Sequence, residues 1–203
     1  MLASNHLIGF GAAVDTIVES VVTWNPSDKD AGITLSNGDL DADGNVAAFR
    51  AVRATIGKSS GKYYFELLIN TITSSGVVSG VLNSTAALTT YVGNAASGRG
   101  VQSSGTSYAT GFTAGSSCGA FSATQVLGIC FDMGTGKVFI AINNTWQGSS
   151  DPVAQTNPWA TGLSGTVYAA HSASNAGNRA TLRTKLADFT YSPPSGYSSY
   201  ASP

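Results

Sequence analysis

Several groups of residues in this chain have types and spacings that could do chemistry, and each has a plainer reading beside it. Gly115-Ser116-Ser117-Cys118-Gly119 fits the G-x-S-x-G nucleophile elbow. That elbow needs a strand before it and a helix after it, whereas this copy lies in a Gly/Ser/Thr-rich stretch where chance matches are common. The histidines, His6 and His171, have no paired acid or nucleophile in a matching motif, so a Ser-His-acid triad lacks its members. Asp39-Leu40-Asp41-Ala42-Asp43-Gly44 follows the first half of an EF-hand loop, with carboxylates at alternate positions and Gly at the sixth. The twelfth position is Arg50 where a bidentate Glu belongs, and helices are not evident on either side. An acidic turn explains the string, with weak calcium binding at Asp39, Asp41 and Asp43 as the alternative. Glu19 and Glu66 are the two glutamates, and they do not form the paired carboxylates that glycoside hydrolysis requires. The expectation is a protein without catalytic residues or cofactor.

Aromatic residues in loops are the remaining group. Trp146 and Trp159 stand in a Gly- and Pro-containing stretch, and Tyr91 and Arg99 border a long Gly/Ser/Thr-rich region. Aromatic faces suit sugars, because a pyranose ring offers apolar C–H patches while nearby amides and hydroxyls orient it. Loops on a rigid scaffold are also the usual carriers of recognition. Tyr91, Arg99, Trp146 and Trp159 are therefore the candidate ligand-binding set, with packing as the competing role of each. Trp24, Tyr63 and Phe65 read as core, and core is an alternative for Trp159 too.

Short strands must position these residues. Residues 126–142, VLGICFDMGTGKVFIAI, place two apolar runs around the turn-forming Asp132-Met133-Gly134-Thr135-Gly136. Each run is too brief for an ordinary helix and rich in β-branched and aromatic residues, which predicts a hairpin. Leu127, Ile129 and Phe131 share one parity, with Val138, Ile140 and Ile142 as natural partners. Cys130 and Phe139 make the other parity apolar as well. A hairpin covered on both faces belongs near the middle of a layered β structure. Further strands are expected at 33–35, 49–55, 63–69, 77–82, 167–171 and 180–186, while 93–119 and 143–165 read as loops. Many short strands with turn signals between them predict an all-β sandwich or barrel.

The first 22 residues stand apart. Leu7-Ile8-Gly9-Phe10-Gly11-Ala12-Ala13 is small and apolar, and 14–22 suits a short helix or an extended strand. This segment reads as an arm that packs on its own domain or attaches to a partner, with Leu7, Ile8 and Phe10 as the attaching side chains. The remaining residues, 23–203, form a single domain.

Charged residues make up 10% of the 203, against about 25% in an average soluble domain, and the formal net charge is −1. That balance excludes the basic stripe of a nucleic-acid binder and gives no support for anionic membranes. So few charges leave association into a homo-oligomer or multicopy assembly open. The chain has neither a signal-peptide pattern at its start nor an apolar run long enough to insert in a membrane. Synthesis in a cytoplasm without signal-directed export is expected. Cys118 and Cys130 read as small apolar residues, with a disulfide as the alternative.

Taken in order, the residues resemble a family. The pieces are Trp24-Asn25-Pro26-Ser27, Ile33-Thr34-Leu35-Ser36, Val52-Arg53-Ala54-Thr55, Gly61-Lys62-Tyr63-Tyr64-Phe65-Glu66, Gly80-Val81 and Gly98-Arg99-Gly100. Val126 to Asp132, Val138 to Asn143 and Pro193-Pro194-Ser195-Gly196-Tyr197 complete the series. The set resembles a SPRY domain, a concanavalin-like sandwich of two antiparallel sheets. The usual Gly-Asp before the central strand is Thr124-Gln125 here, and the usual Asn-Gly after its partner is Asn143-Asn144. The Ser/Thr/Gly-rich, charge-poor character resembles SPRY-like domains of bacteriophage virion proteins, and Asn5 to Ala12 resembles short leaders on phage structural proteins. The resemblance implies a non-enzymatic virion surface protein. One expectation is a decoration module bound to other virion proteins through its arm. The other is an adhesion module whose loops recognise a host-surface glycan or protein.

Overall fold

A computed structural model describes residues 18–108 and 118–203. The strands in chain order are β1 (Trp24–Lys29), β2 (Ile33–Ser36), β3 (Asp41–Gly44), β4 (Arg50–Ala54), β5 (Lys62–Thr71), β6 (Val77–Asn83) and β7 (Gly98–Gln102). They continue with β8 (Ser107–Tyr108), β9 (Val126–Asp132), β10 (Lys137–Ile142), β11 (Thr145–Trp146), β12 (Val167–Ala173), β13 (Arg179–Arg183) and β14 (Ser198–Ser199). One six-stranded sheet runs β1-β4-β12-β6-β7-β8, and one eight-stranded sheet runs β11-β10-β9-β5-β13-β3-β2 with β14 beside β5. The pairs are antiparallel except β14 with β5, which is parallel. The expected two-sheet antiparallel sandwich is what the chain forms.

The hairpin at 126–142 is β9 and β10, in the register its parities predict: Phe131 faces Val138, Ile129 faces Ile140 and Leu127 faces Ile142. Its turn closes because Asp132 Oδ1 accepts the N–H groups of Gly134 (2.8 Å) and Thr135 (3.3 Å). Gly136 there takes φ +67°, which an L side chain adopts only with strain. On its other edge β9 pairs with β5, setting Phe65 opposite Ile129 and Leu67 opposite Leu127. These side chains meet Val52, Val81 and Ala169 of the opposite sheet, with Trp24, Trp159 and Tyr200 fully enclosed among them.

Both outer faces are apolar enough to need cover. Each large apolar side chain left in water would forfeit roughly 1.5–3 kcal/mol. Behind the eight-stranded sheet, Tyr64, Cys130 and Phe139 are closed over by Tyr197 and Phe189 of the C-terminal segment. Behind the six-stranded sheet, Ala51, Val78 and Ala170 are closed over by Ala86, Leu88 and Val92. That second cover lies so close that a Cβ on Gly100 would stand 2.2 Å from the Val92 carbonyl oxygen. Gly80, directly opposite Gly100, would set a Cβ 1.9 Å from the Arg99 carbonyl oxygen.

Two expectations need correction. The stretch 93–119 is not all loop: Gly98–Gln102 and Ser107–Tyr108 pair as β7 and β8, because the glycines there serve close approach and not a turn. Asp41–Gly44 is likewise a strand, held between β2 and β13 with Ala42 fully buried, so pairing overrides the weak strand preference of Asp and Gly. The arm is described from residue 18 onward. Ser20 N–H donates to Ala201 O (2.8 Å), and Glu19 Oε1 accepts from Leu186 N–H (3.0 Å) and from Ser199 Oγ. Leu7, Ile8 and Phe10 lie outside the described residues, as do Ser116 and Ser117 of the elbow motif.

Two local conflicts yield measurable outcomes. Thr124, where the family pattern has glycine, holds φ +69°. A β-branched residue in the left-handed region costs about 1–2 kcal/mol. Thr124→Gly relieves that cost but loosens the unfolded chain, so a net gain of about 1 kcal/mol is expected in urea denaturation; a loss would show that the Thr side chain offsets its own strain. His171 is sealed between the sheets, its Nδ1 3.0 Å from Ser79 Oγ, and burial lowers its pKa to about 4. The unfolded histidine takes up a proton near pH 6.5, well before the folded one. Stability is therefore undiminished above pH 6.5 and falls by about 3 kcal/mol as the pH drops to 4. Comparing wild type with His171→Gln across that window isolates this share, and parallel curves for the two would refute it.

Candidate functional site

The four residues expected to bind a ligand do not come together. Trp159 is fully buried, with Nε1–H donating to Ser107 Oγ (2.9 Å), and presents no face to a ligand. Arg99 is buried too, and its guanidinium donates to the carbonyls of Thr161 (2.8 Å), Ala96 (3.0 Å), Gly98 (2.7 Å) and Gly162 (3.1 Å). It stitches 159–162 to β7 and is a structural residue. Tyr91 packs against Tyr108 with tilted rings (centroids 4.4 Å apart) and edge-on against Phe49 (5.5 Å) behind the six-stranded sheet. Trp146 lies behind the eight-stranded one, half-buried against the cluster of Tyr64, Cys130, Phe139 and Tyr197. Trp146 and Tyr91 are thus on opposite outer faces of the sandwich.

Beside Trp146 there is a cleft of about 440 Å³, within the size range of small-molecule sites. The 150–153 turn lines it with Ser150, Asp151, Pro152 and Val153, the C-terminal segment forms another wall with Ser192 and Pro194, and Asn144 completes the lining. A larger cavity of about 510 Å³ is lined mainly by hydroxyls, Thr73, Ser74, Ser103 and Ser122 among them, and its aromatic residue, Phe121, is buried. A third pocket, beside the partly exposed Tyr91 and lined by Thr90, Asn94 and Ser97, holds about 60 Å³. Of the two large cavities among the described residues, the Trp146 cleft is the one that joins a partly exposed aromatic to polar groups.

The turn wall is held from below. Lys137 Nζ donates to Gln155 O (2.7 Å), Gln155 Nε2 donates to Tyr197 Oη (2.7 Å), and Thr135 Oγ1 donates to Gln155 Oε1 (3.3 Å). Asp151 Oδ1 accepts the N–H groups of Val153 and Ala154 (both 2.9 Å), while Asp151 and Thr156 exchange backbone hydrogen bonds. The same stretch carries an unusual backbone: Asn143, Asn144, Ser149, Gln155 and Asn157 all hold positive φ. Such conformations collect where the fold over-determines a site. The sequence showed the Asn143-Asn144 turn but carried no signal for Gln155, whose partners are remote in the chain.

The C-terminal wall hangs from Glu66. Its carboxylate, fully buried, accepts Thr190 N–H (2.7 Å), Tyr191 N–H (2.8 Å) and Tyr64 Oη–H (3.0 Å), with Arg183 Nη1 3.6 Å away. Burial first, and then the Glu66 charge, push the Tyr64 hydroxyl above its usual pKa, so it stays a donor. Burial raises Cys130 likewise and takes Cys118 up to about 12, which leaves both as unreactive thiols. The two are free and pack on opposite sides of the eight-stranded sheet, so the disulfide alternative is not what the structure holds.

Asp39, Asp41 and Asp43 form no calcium loop. On β3, Asp41 Oδ1 accepts from Thr181 Oγ1 and Asp43 Oδ1 from Gly177 N–H (3.0 Å), so both carboxylates are engaged within the sheet. Among the described residues, no three His, Cys, Asp or Glu side chains are disposed to hold a metal ion.

Removing the Glu66 carboxylate should free the C-terminal wall. Glu66→Ala orphans several donors at once and is expected to cost about 3 kcal/mol. The local readout is hydrogen exchange: the Thr190 and Tyr191 amides should lose protection, and unaltered exchange there would mean that the segment is held by its side chains alone.

Scanned against protein-family models and curated proteins, the chain matches none. Solved structures do match it. The SPRY domain of human HERC1 superposes with a TM-score of 0.64 at 14% identity, covering 83% of this chain and 99% of that one. The TRIM65 PSpry domain gives 0.55 at 15% identity, covering 79% and 90%. The chain thus has a SPRY-like β-sandwich fold.

Proposed function

We propose that the protein is a non-catalytic recognition module of a bacteriophage virion, which engages a host-surface ligand in the Trp146 cleft. The observation that carries this reading is the cleft itself: a half-buried indole between two rigidly hung walls, with amide, hydroxyl and carboxylate groups around it. The charge-poor, Ser/Thr/Gly-rich composition and the leader-like Asn5 to Ala12 support the virion setting. A non-catalytic role agrees with the employment of the candidate catalytic groups. Glu66 is bound by backbone amides, Glu19 pins the arm, and His171 is sealed in the core.

A specific observation favours attachment to the particle through the arm. Where the described chain begins, Val18 and Val21 are 80% and 74% exposed, and Leu186, whose N–H donates to Glu19, is 52% exposed. Apolar side chains so exposed leave surface that attachment to a partner would cover. Recognition and attachment thus use separate parts of one molecule.

The two roles separate experimentally. Particles carrying Trp146→Ala should assemble normally and adsorb to host cells about tenfold more slowly or worse, as expected for loss of an aromatic anchor; wild-type adsorption would sink the recognition role. The double variant Val18→Asp, Val21→Asp should fold normally and fail to enter particles, and normal incorporation would sink the attachment role.

A further inference from the structure

We infer that the Trp146 cleft takes a neutral pyranose ring of a glycan, stacked on the indole, with its hydroxyls held by Asp151 and Asn144. This rests on the cleft being the recognition site. Charge is the first reason. Asp151 is the one charged residue lining the cleft, and Lys137, the cation that reaches this loop, already donates to Gln155 O. A carboxylate without a competing cation repels sialylated, sulfated or phosphorylated ligands and accepts readily from neutral hydroxyls. Asp151 is exposed, and only its Oδ1 is occupied by the turn amides, so acceptor capacity remains.

Backbone availability is the second reason. A bound peptide strand needs a row of unpaired N–H and C=O groups. The edge strand here, Thr145–Trp146, is two residues long and runs directly into the turn at Gln147–Ser149. In the facing wall the N–H groups of Ser150, Asp151, Val153, Ala154 and Thr156 all have partners within the loop. The cleft therefore offers side-chain amide, hydroxyl and carboxylate groups around an aromatic ring and apolar Pro152 and Pro194. That set matches a sugar, with an apolar face and a hydroxyl rim, better than an extended peptide.

The third reason concerns rigidity. Both walls are held by several hydrogen bonds each, to Gln155 and Asp151 on one side and to Glu66 on the other, so little ordering is required on binding. A small ligand with few contacts depends on such preorganisation.

The test uses the full chain. Titration calorimetry against methyl glycosides of neutral hexoses and N-acetylhexosamines, alongside an array of neutral and anionic glycans, should show saturable binding of a neutral sugar. Trp24 and Trp159 are fully buried, so a ligand-induced change in tryptophan emission reports on Trp146. Trp146→Ala should weaken binding about 30-fold or more. Trp146→Tyr, which keeps a stacking face, should retain most of it, and Asp151→Asn should weaken it about tenfold. Binding confined to anionic glycans would overturn the inference. So would binding of Lys- or Arg-rich peptides in a Trp146-dependent way with no glycan signal. Trp146-dependent adsorption to host cells that survives periodate oxidation of their glycans would also overturn it while leaving the recognition role standing. Adsorption indifferent to Trp146 would remove both.

Discussion

A buried carboxylate governs how this sandwich is finished. Glu66 sits on the outer face of a central strand, fully enclosed, and would be costly there without partners. Thr190 N–H, Tyr191 N–H and the Tyr64 hydroxyl supply them, and in doing so they draw the C-terminal segment across the sheet. The segment then lays Phe189 and Tyr197 over Tyr64, Cys130 and Phe139, and carries on to seat Tyr200 among Phe65, Phe131 and Tyr63 in the core. One charge thereby couples the outer cover, the inner core and one wall of the cleft. Arg183, 3.6 Å away, adds compensating charge from the neighbouring strand.

A second consequence concerns where binding groups can lie. The middle of each sheet is apolar on both faces and is covered on both, which leaves little bare sheet surface there for a ligand. Clefts form instead where covering segments meet. The Trp146 cleft is such a junction, between the C-terminal segment and the turn after β11. Its rigidity is inherited from Glu66 on one side and from Gln155, Lys137 and Tyr197 on the other. The arm uses the same logic in reverse: Glu19 and Ser20 tie residues 18–22 to the C-terminal end, while Val18 and Val21 stay outside.

Much of the fold was legible in the residues. The alternating parities of 126–142 define the hairpin register, and the double apolar coverage that they imply does place it centrally, with β9 between β10 and β5. The strands around 33–35, 49–55, 63–69, 77–82, 167–171 and 180–186 all exist, with ends shifted by a few residues. What failed were segments whose composition argues against strand. Gly98–Gln102 and Asp41–Gly44 become strands because neighbours on both edges supply hydrogen-bond partners, and no local signal carries that information. Of the candidate site, Trp146 was legible as a loop aromatic. Trp159 and Arg99 were not distinguishable from it, since burial depends on what packs over a residue and not on its own type.

By itself, the sequence determined the class of structure: apolar periodicity of two, turn chemistry at the breaks and an ordered set of motifs suffice for an antiparallel sandwich. It also determined that the chain is poor in charge, with a formal net charge of −1, because charge is a property of composition. Tertiary structure alone decided which aromatics face solvent, which carboxylates are free and which segments meet to form a cleft. Those outcomes rest on contacts between residues far apart in the chain, such as Gln155 with Tyr197 and Glu66 with Thr190. The physical reason is that hydrogen bonding and burial act through space, whereas propensity and periodicity act along the chain.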